Sequence, residues 1–171
     1  MSFSILFFFL LVLAIPTHQT SDLVTKTCDQ TLYKDLCNSA LASAPESEVT
    51  DVQSLAKFAL KMTSLNAVEI HKRISLLFNT SSDEFIKQCL TDCSEIYTDA
   101  TDQLEDSMVA LDFKSYNDVN TWVTAAMTDA QSCEDGFNEK SGIVSPLSDI
   151  NKKFTQLCSI SLAITNLLDK N

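Results

Sequence analysis

The sequence predicts an all-α protein: an up-down-up-down four-helix bundle preceded by an N-terminal helical hairpin, stapled by disulfides. Three observations predict it. Glycine is almost absent, with only Gly136 and Gly142 in 171 residues. The chain therefore lacks the residue that hairpin turns and phosphate loops need at positive φ. Apolar residues recur at spacings of three and four through four long segments, the period of a helix with one buried face. The connections between those segments are short, which makes consecutive helices antiparallel neighbours.

The elements follow in chain order. Residues 1–20 open with an uninterrupted apolar run, Ile5 to Ile15, closed by Pro16. The run is too short to span a bilayer and reads as a cleaved secretory leader, with cleavage expected between Thr17 and Asp22. An N-terminal anchor is the alternative. Residues 21–171 are then one domain, an arm over 22–44 and a bundle over 50–170. In the arm, Cys28 and Cys37 have eight residues between them and are expected to close it as a hairpin, worth about 2.5 kcal/mol in the chain-entropy picture. Thr50 with Gln53 reads as a capping box for the first bundle helix, which carries Leu55, Ala59, Met62, Ile70 and Ile74 and ends near Asn79. Asn79-Thr80-Ser81 is a glycosylation sequon. Ser81 with Glu84 reads as a second box, opening a helix to about Leu111 whose apolar series includes Ile86, Cys89, Leu90, Cys93, Tyr97, Ala100 and Leu104. Ser115 and Asp118 open the third helix, which runs to about Phe137. Ser145 followed by Pro146 reads as a cap and first-turn proline for the last one.

Charge singles out two of these helices. Between Gln88 and Glu139 there are twelve acidic residues and one basic residue, Lys114, so this segment carries a formal charge equal to the −11 of the whole chain. Asp92, Glu95, Asp99, Asp102 and Asp106 step by three and four, one stripe along the second bundle helix. Like charges at this spacing cost a few tenths of a kcal/mol each, and no base is interleaved. Such a face repels nucleic acid and anionic membrane and suits a basic protein partner; a merely solvated face is the bland alternative.

Six cysteines behind a leader imply disulfides. Cys93 on the second bundle helix and Cys133 near the end of the third come level if those helices are antiparallel. That bridge would close about forty residues, worth roughly 4 kcal/mol. It would also explain why Cys133 stands among Asp129, Glu134 and Asp135: it ties two acidic helices together. Cys89 and Cys158 face the core by periodicity. They are expected either as buried free thiols or as a third bridge.

Catalysis is not expected. His71 lies towards a helix end beside Lys72 and Arg73, no set of zinc ligands stands free of the oxidised cysteines, and there is no nucleophile elbow. The acidic pairs lie on an open helix face, without a walled pocket to raise one carboxyl as glycoside cleavage requires. Neither a metal nor a cofactor is expected.

The order of motifs resembles a known family. Cys-x8-Cys is followed by Thr-Asp-Cys-x3-Tyr-x-Asp-Ala (Thr91 to Ala100), then Thr-Trp-x2-Ala-Ala, Ser-Cys-Glu-Asp-Gly-Phe and a late Leu-Ala-Ile. Together, across the whole mature chain, they resemble the plant invertase and pectin methylesterase inhibitor family, and from Cys133 onward its plane-pollen-allergen-type members. The resemblance implies a four-helix bundle with an N-terminal hairpin, bridges Cys28–Cys37 and Cys93–Cys133, and secretion to the cell wall or, alternatively, the vacuole. It implies a non-covalent one-to-one complex with a target enzyme. In members that block pectin methylesterase, the second and third bundle helices cover the enzyme's cleft. The matching positions here are Glu95, Tyr97, Asp99 and Asp102, with Ser132 and Asp135 around Cys133. Members that block invertase use a Pro-Lys-Phe segment before the last helix. Here Val144-Ser145-Pro146-Leu147-Ser148 stands in its place, which favours pectin methylesterase, with invertase as the alternative. Cys158 matches a position where some members carry a free thiol; Cys89 matches none. A reading from another class is a secreted small-ligand carrier, because Cys89-x3-Cys93-x39-Cys133 resembles part of the insect odorant-binding pattern. The later close cysteine pair of that pattern is missing.

Overall fold

A computed structural model describes residues 19–169, with side chains from 22 onward. The expected leader lies outside the described residues except for Gln19 and Thr20, which begin the first helix. Six helices follow one another: α1 (Gln19–Cys28), α2 (Lys34–Leu41), α3 (Val52–Thr80), α4 (Glu84–Asp112), α5 (Tyr116–Asn138) and α6 (Ser148–Leu168). No strand occurs among the described residues.

α3 and α4 start where a short polar side chain satisfies free N–H groups of the first turn, whereas Ser115 precedes α5 without a side-chain capping bond. For α3 the capping residue is Asp51, not Thr50. Its carboxylate accepts from the Ser54 N–H at 2.8 Å, and Ser54 Oγ accepts from the Asp51 N–H at 3.1 Å, a reciprocal box one residue later than Thr50–Gln53. For α4 it is Asp83, not Ser81: Asp83 Oδ1 accepts from the N–H groups of Phe85 (2.8 Å) and Ile86 (3.1 Å). Ser145 Oγ accepts from the Leu147 N–H at 3.2 Å, so Ser145–Pro146 caps a turn, and α6 itself begins at Ser148.

In the bundle α3 packs on α4, α4 on α5, α5 on α6, and α6 back on α3. Lateral bonds show the antiparallel sense. Lys57 near the start of α3 pairs with Asp112 at the end of α4 at 2.6 Å. Asn120 at the start of α5 donates to Asn166 at the end of α6 at 2.9 Å. The core is the inner stripe of each helix, with Leu60, Ile74, Leu90, Leu104, Val123, Phe137, Phe154 and Ile164 all buried. Removing such side chains from water is the main stabilising term, about 1.5–3 kcal/mol each. The arm is bridged Cys28–Cys37, and α2 lies against α3 and α6. Most of the α4–α5 pair thus stays outside the arm's contacts.

Candidate functional site

The face formed by α4 and α5 is the candidate site. The rotation of α4 is set by what it buries: Leu90, Cys93, Tyr97, Ala100, Leu104 and Leu111 point inward. The opposite side therefore presents Asp92, Glu95, Asp99, Asp102 and Asp106, all exposed. Among the described residues no lysine or arginine pairs with any of the five; the ion pair at this end of α4 belongs to Asp112. On α5, Ser132 and Asp135 are also exposed, and Gln131 Nε2 donates to Asp135 at 2.9 Å. Five of the six expected contact residues (Glu95, Asp99, Asp102, Ser132 and Asp135) thus lie open to a partner.

Tyr97 does not. It is fully buried, and its hydroxyl donates across the bundle to Asn151 Oδ1 on α6 at 2.7 Å. Its ring meets Phe154 edge-on, with centroids 5.4 Å apart. Asn151 in turn donates to Glu134 Oε2 on α5 at 2.9 Å. Burial above all, with the acids Glu134 and Asp129 adding to it, pushes the Tyr97 hydroxyl far above its ordinary value, so it stays a donor. The expectation that Tyr97 touches a partner is corrected: it supports the acidic face from behind. The reason is periodicity. A residue four after buried Cys93 and three before buried Ala100 cannot face outward.

The two helices are fastened at one end by Cys93–Cys133, with Cα atoms 4.9 Å apart. At the other they are joined by a tight turn at Lys114, whose φ is +58°. There the Ser115 N–H returns to the Ala110 carbonyl at 2.9 Å, an end in which a left-handed residue follows the helix. Between these ends lies Asp129 on α5, facing α4. Its carboxyl is raised above the usual range by burial and by the charge of Asp99, partly offset by Gln103. Asp129 Oδ2 and Gln103 Oε1 are both buried acceptors without a donor.

The third bridge does not form. Cys89 and Cys158 are buried free thiols. Cys89 donates to the Gly136 carbonyl at 3.5 Å, near the α4–α5 end. Cys158 lies on α6, within electrostatic reach of Tyr97, which is two turns, about 12 Å, further along α4. A disulfide tolerates a Cα separation of about 7 Å at most. Burial raises both thiols, so both are inert.

Asn79 is exposed at the end of α3, where a glycan has room. His71 Nε2 bonds Ser94 Oγ at 3.0 Å between α3 and α4, a structural contact. Among the described residues no group of three or more His, Cys, Asp or Glu side chains is arranged to hold a metal, and no helix is long and apolar enough to cross a membrane.

The geometry has counterparts in known proteins. The family model described as plant invertase/pectin methylesterase inhibitor matches residues 22–164. A Platanus acerifolia protein that carries an invertase-inhibitor name is 34% identical, over 98% of each chain. The pectinesterase inhibitor of Actinidia deliciosa is 34% identical, over 85% of this chain and 79% of its own. The crystal structure of a mutant form of an Arabidopsis pectin methylesterase inhibitor superposes with a TM-score of 0.71 at 26% identity, over 84% of this chain and 95% of that one.

Proposed function

The chain belongs to the plant invertase/pectin methylesterase inhibitor family, and on that premise we propose that it is a secreted inhibitor of a cell-wall carbohydrate-active enzyme. It acts on an enzyme rather than as one. Pectin methylesterase is the first target and acid invertase the second. The mode is a non-covalent one-to-one complex in which α4 and α5 occlude the enzyme's cleft. After removal of residues 1–20 the working unit is the single domain 21–171, released to the apoplast, with the vacuole as the alternative destination.

The observation that carries this reading is the exposed line Asp92, Glu95, Asp99, Asp102 and Asp106, without basic relief, on a helix pair fastened at both ends. A line of unpaired carboxylates costs stability within the monomer. It becomes favourable against a basic surface. The choice of pectin methylesterase rests on the segment Val144 to Ser148, which lacks a Pro-Lys-Phe run. The invertase reading is kept because the Platanus relative carries that name.

The test is a side-by-side titration of the mature protein against a purified plant pectin methylesterase and a purified acid invertase. Stoichiometric loss of esterase activity with invertase unaffected is the expected result. Inhibition of invertase alone reverses the order of targets, and inhibition of neither removes the reading.

A further inference from the structure

The acidic stripe of α4 does not stop at Asp106. The same alternation of three and four residues continues to Val109 and Phe113, and these are apolar and open to solvent, 56% and 79% exposed. A third large apolar side chain belongs with them. On α5, Asp129 faces Gln103 of α4, which hydrogen-bonds its carboxyl, and feels the charge of Asp99 on the same helix. In an antiparallel pair this lateral relation repeats each heptad. One heptad before Asp129 is Trp122, and one heptad after Asp99 and Gln103 are Asp106 and Ala110. Trp122, 38% exposed, therefore falls beside the end of the stripe. Helical side chains lean towards their own N-terminus. Trp122 thus leans towards the Lys114 turn, the end of the pair at which Val109 and Phe113 stand.

Singly exposed apolar residues need no explanation. Here two continue one charged line and a third stands on the neighbouring helix near its end, and that third is tryptophan, a residue type enriched among those that dominate binding energy. We propose that Val109, Phe113 and Trp122 are the apolar anchor of the α4–α5 face. The partner surface they fit is a protein surface with an apolar hollow bordered on one side by lysines or arginines. The hollow follows from three desolvatable side chains, and the bases follow from five carboxylates that no lysine or arginine among the described residues pairs with, Asp92 accepting only from Gln88. The inference rests on the inhibitor reading and adds a division of labour to it. The stripe steers approach, so its effect falls with salt, while the anchor sets how long the complex lasts.

The experiment uses the full mature chain and whichever purified enzyme it inhibits, immobilised, with association and dissociation followed at low and high salt. Val109→Ser with Phe113→Ser is expected to speed dissociation about tenfold or more, at either salt, with association changed by less than about twofold. Both sites are exposed, so folding is spared; helix content checks it. Trp122→Ala should act in the same direction. Leu65→Ser with Leu76→Ser, apolar sites 50% and 60% exposed on α3, should change nothing. If the Val109/Phe113 variant dissociates like the parent while Asp99→Asn with Asp102→Asn weakens inhibition, the anchor is refuted and the inhibitory face stands. If the control pair slows or speeds the complex as much as the anchor pair, the anchor is also refuted. If the parent inhibits neither enzyme, both readings fall.

Discussion

Tyr97 and Asp129 are the two side chains on which the acidic face leans from inside. Tyr97→Phe removes a hydroxyl and leaves Asn151 Oδ1 buried without its donor. The expected cost is about 1–3 kcal/mol of folding stability, read from denaturant midpoints, with inhibition unchanged while the protein remains folded. A loss of inhibition at unchanged stability would put Tyr97 back at the interface. Asp129 contributes to the pH response. Burial, then Asp99, lifts its folded-state pKa above the unfolded one. The folded protein therefore holds that proton more readily, and Asp129 favours folding at pH below the ordinary aspartate range. The advantage is lost as pH rises through the lifted value. Asp51 and Asp83 run the other way: their backbone hydrogen bonds lower them, so their contribution is present above the ordinary range and fades as pH falls through their lowered values. The useful measurement is thus the difference between parent and Asp129→Asn. The variant should be the more stable at neutral pH, since an amide N–H can serve the orphaned Gln103 Oε1, and its margin should shrink on acidification. An unchanging margin would refute the account. Tyr97 also shows what residues alone made legible: its place in the apolar series of α4 already put it in the core, while the family resemblance pointed to the surface, and the period was right. Asn151 stood on the inner face of α6, three before Phe154, yet its partners come from α4 and α5, which no local pattern exhibits.

Helix type and order were readable because Gly is scarce and the apolar period is long, and antiparallel pairing followed from short connections. Helix starts were readable only to within a few residues. Thr50, Ser81 and Ser145 are good capping residues, but aspartate stands one or two positions later in the first two cases: Asp51 closes a reciprocal box with Ser54, and Asp83 reaches two N–H groups. The acidic stripe of α4 was visible as a 3-4 pattern, and the helix does present it outward. Its continuation into Val109 and Phe113 was not visible, since exposure of an apolar residue depends on which neighbour fails to cover it. The prediction at this scale is directional. Asp99→Asn with Asp102→Asn keeps shape and removes two charges, and inhibition should weaken about thirtyfold or more if both carboxylates are desolvated by the partner. Glu46→Gln with Glu48→Gln, in the segment between α2 and α3, should leave inhibition as it was. Added salt should slow association more than it hastens dissociation. A double variant that inhibits like its parent would reduce the stripe to a solvated face.

At the scale of the molecule, the register of α4 on α5 could be proposed from Cys93 and Cys133 alone, and the bridge is there with Cys89 beside Gly136 in the same register. The fate of Cys89 and Cys158 could not, because whether two core cysteines meet depends on their depth along different helices. The bridges divide the labour: Cys28–Cys37 closes the arm, and Cys93–Cys133 closes the pair that carries the face. Reducing Cys93–Cys133 frees a loop of about forty residues and should lower stability by roughly 4 kcal/mol in the chain-entropy picture. Much helix should remain at a temperature where the parent is fully folded, since four packed helices and their core persist. Loss of all helix on reduction under those conditions would show that the bundle depends on the bridge far more than its packing suggests.

A helix pair joined by chain at one end and by sulfur at the other is a closed ring. Its turn at Phe113 and Lys114 is exposed and offers a digestive enzyme both an aromatic and a basic residue, once the turn's hydrogen bonds open. A single cut there opens the chain without separating it, because Cys93 lies on one piece and Cys133 on the other. The clipped molecule should therefore travel as one band without reductant and as two with it. An inhibitor built this way survives the first bite of a protease.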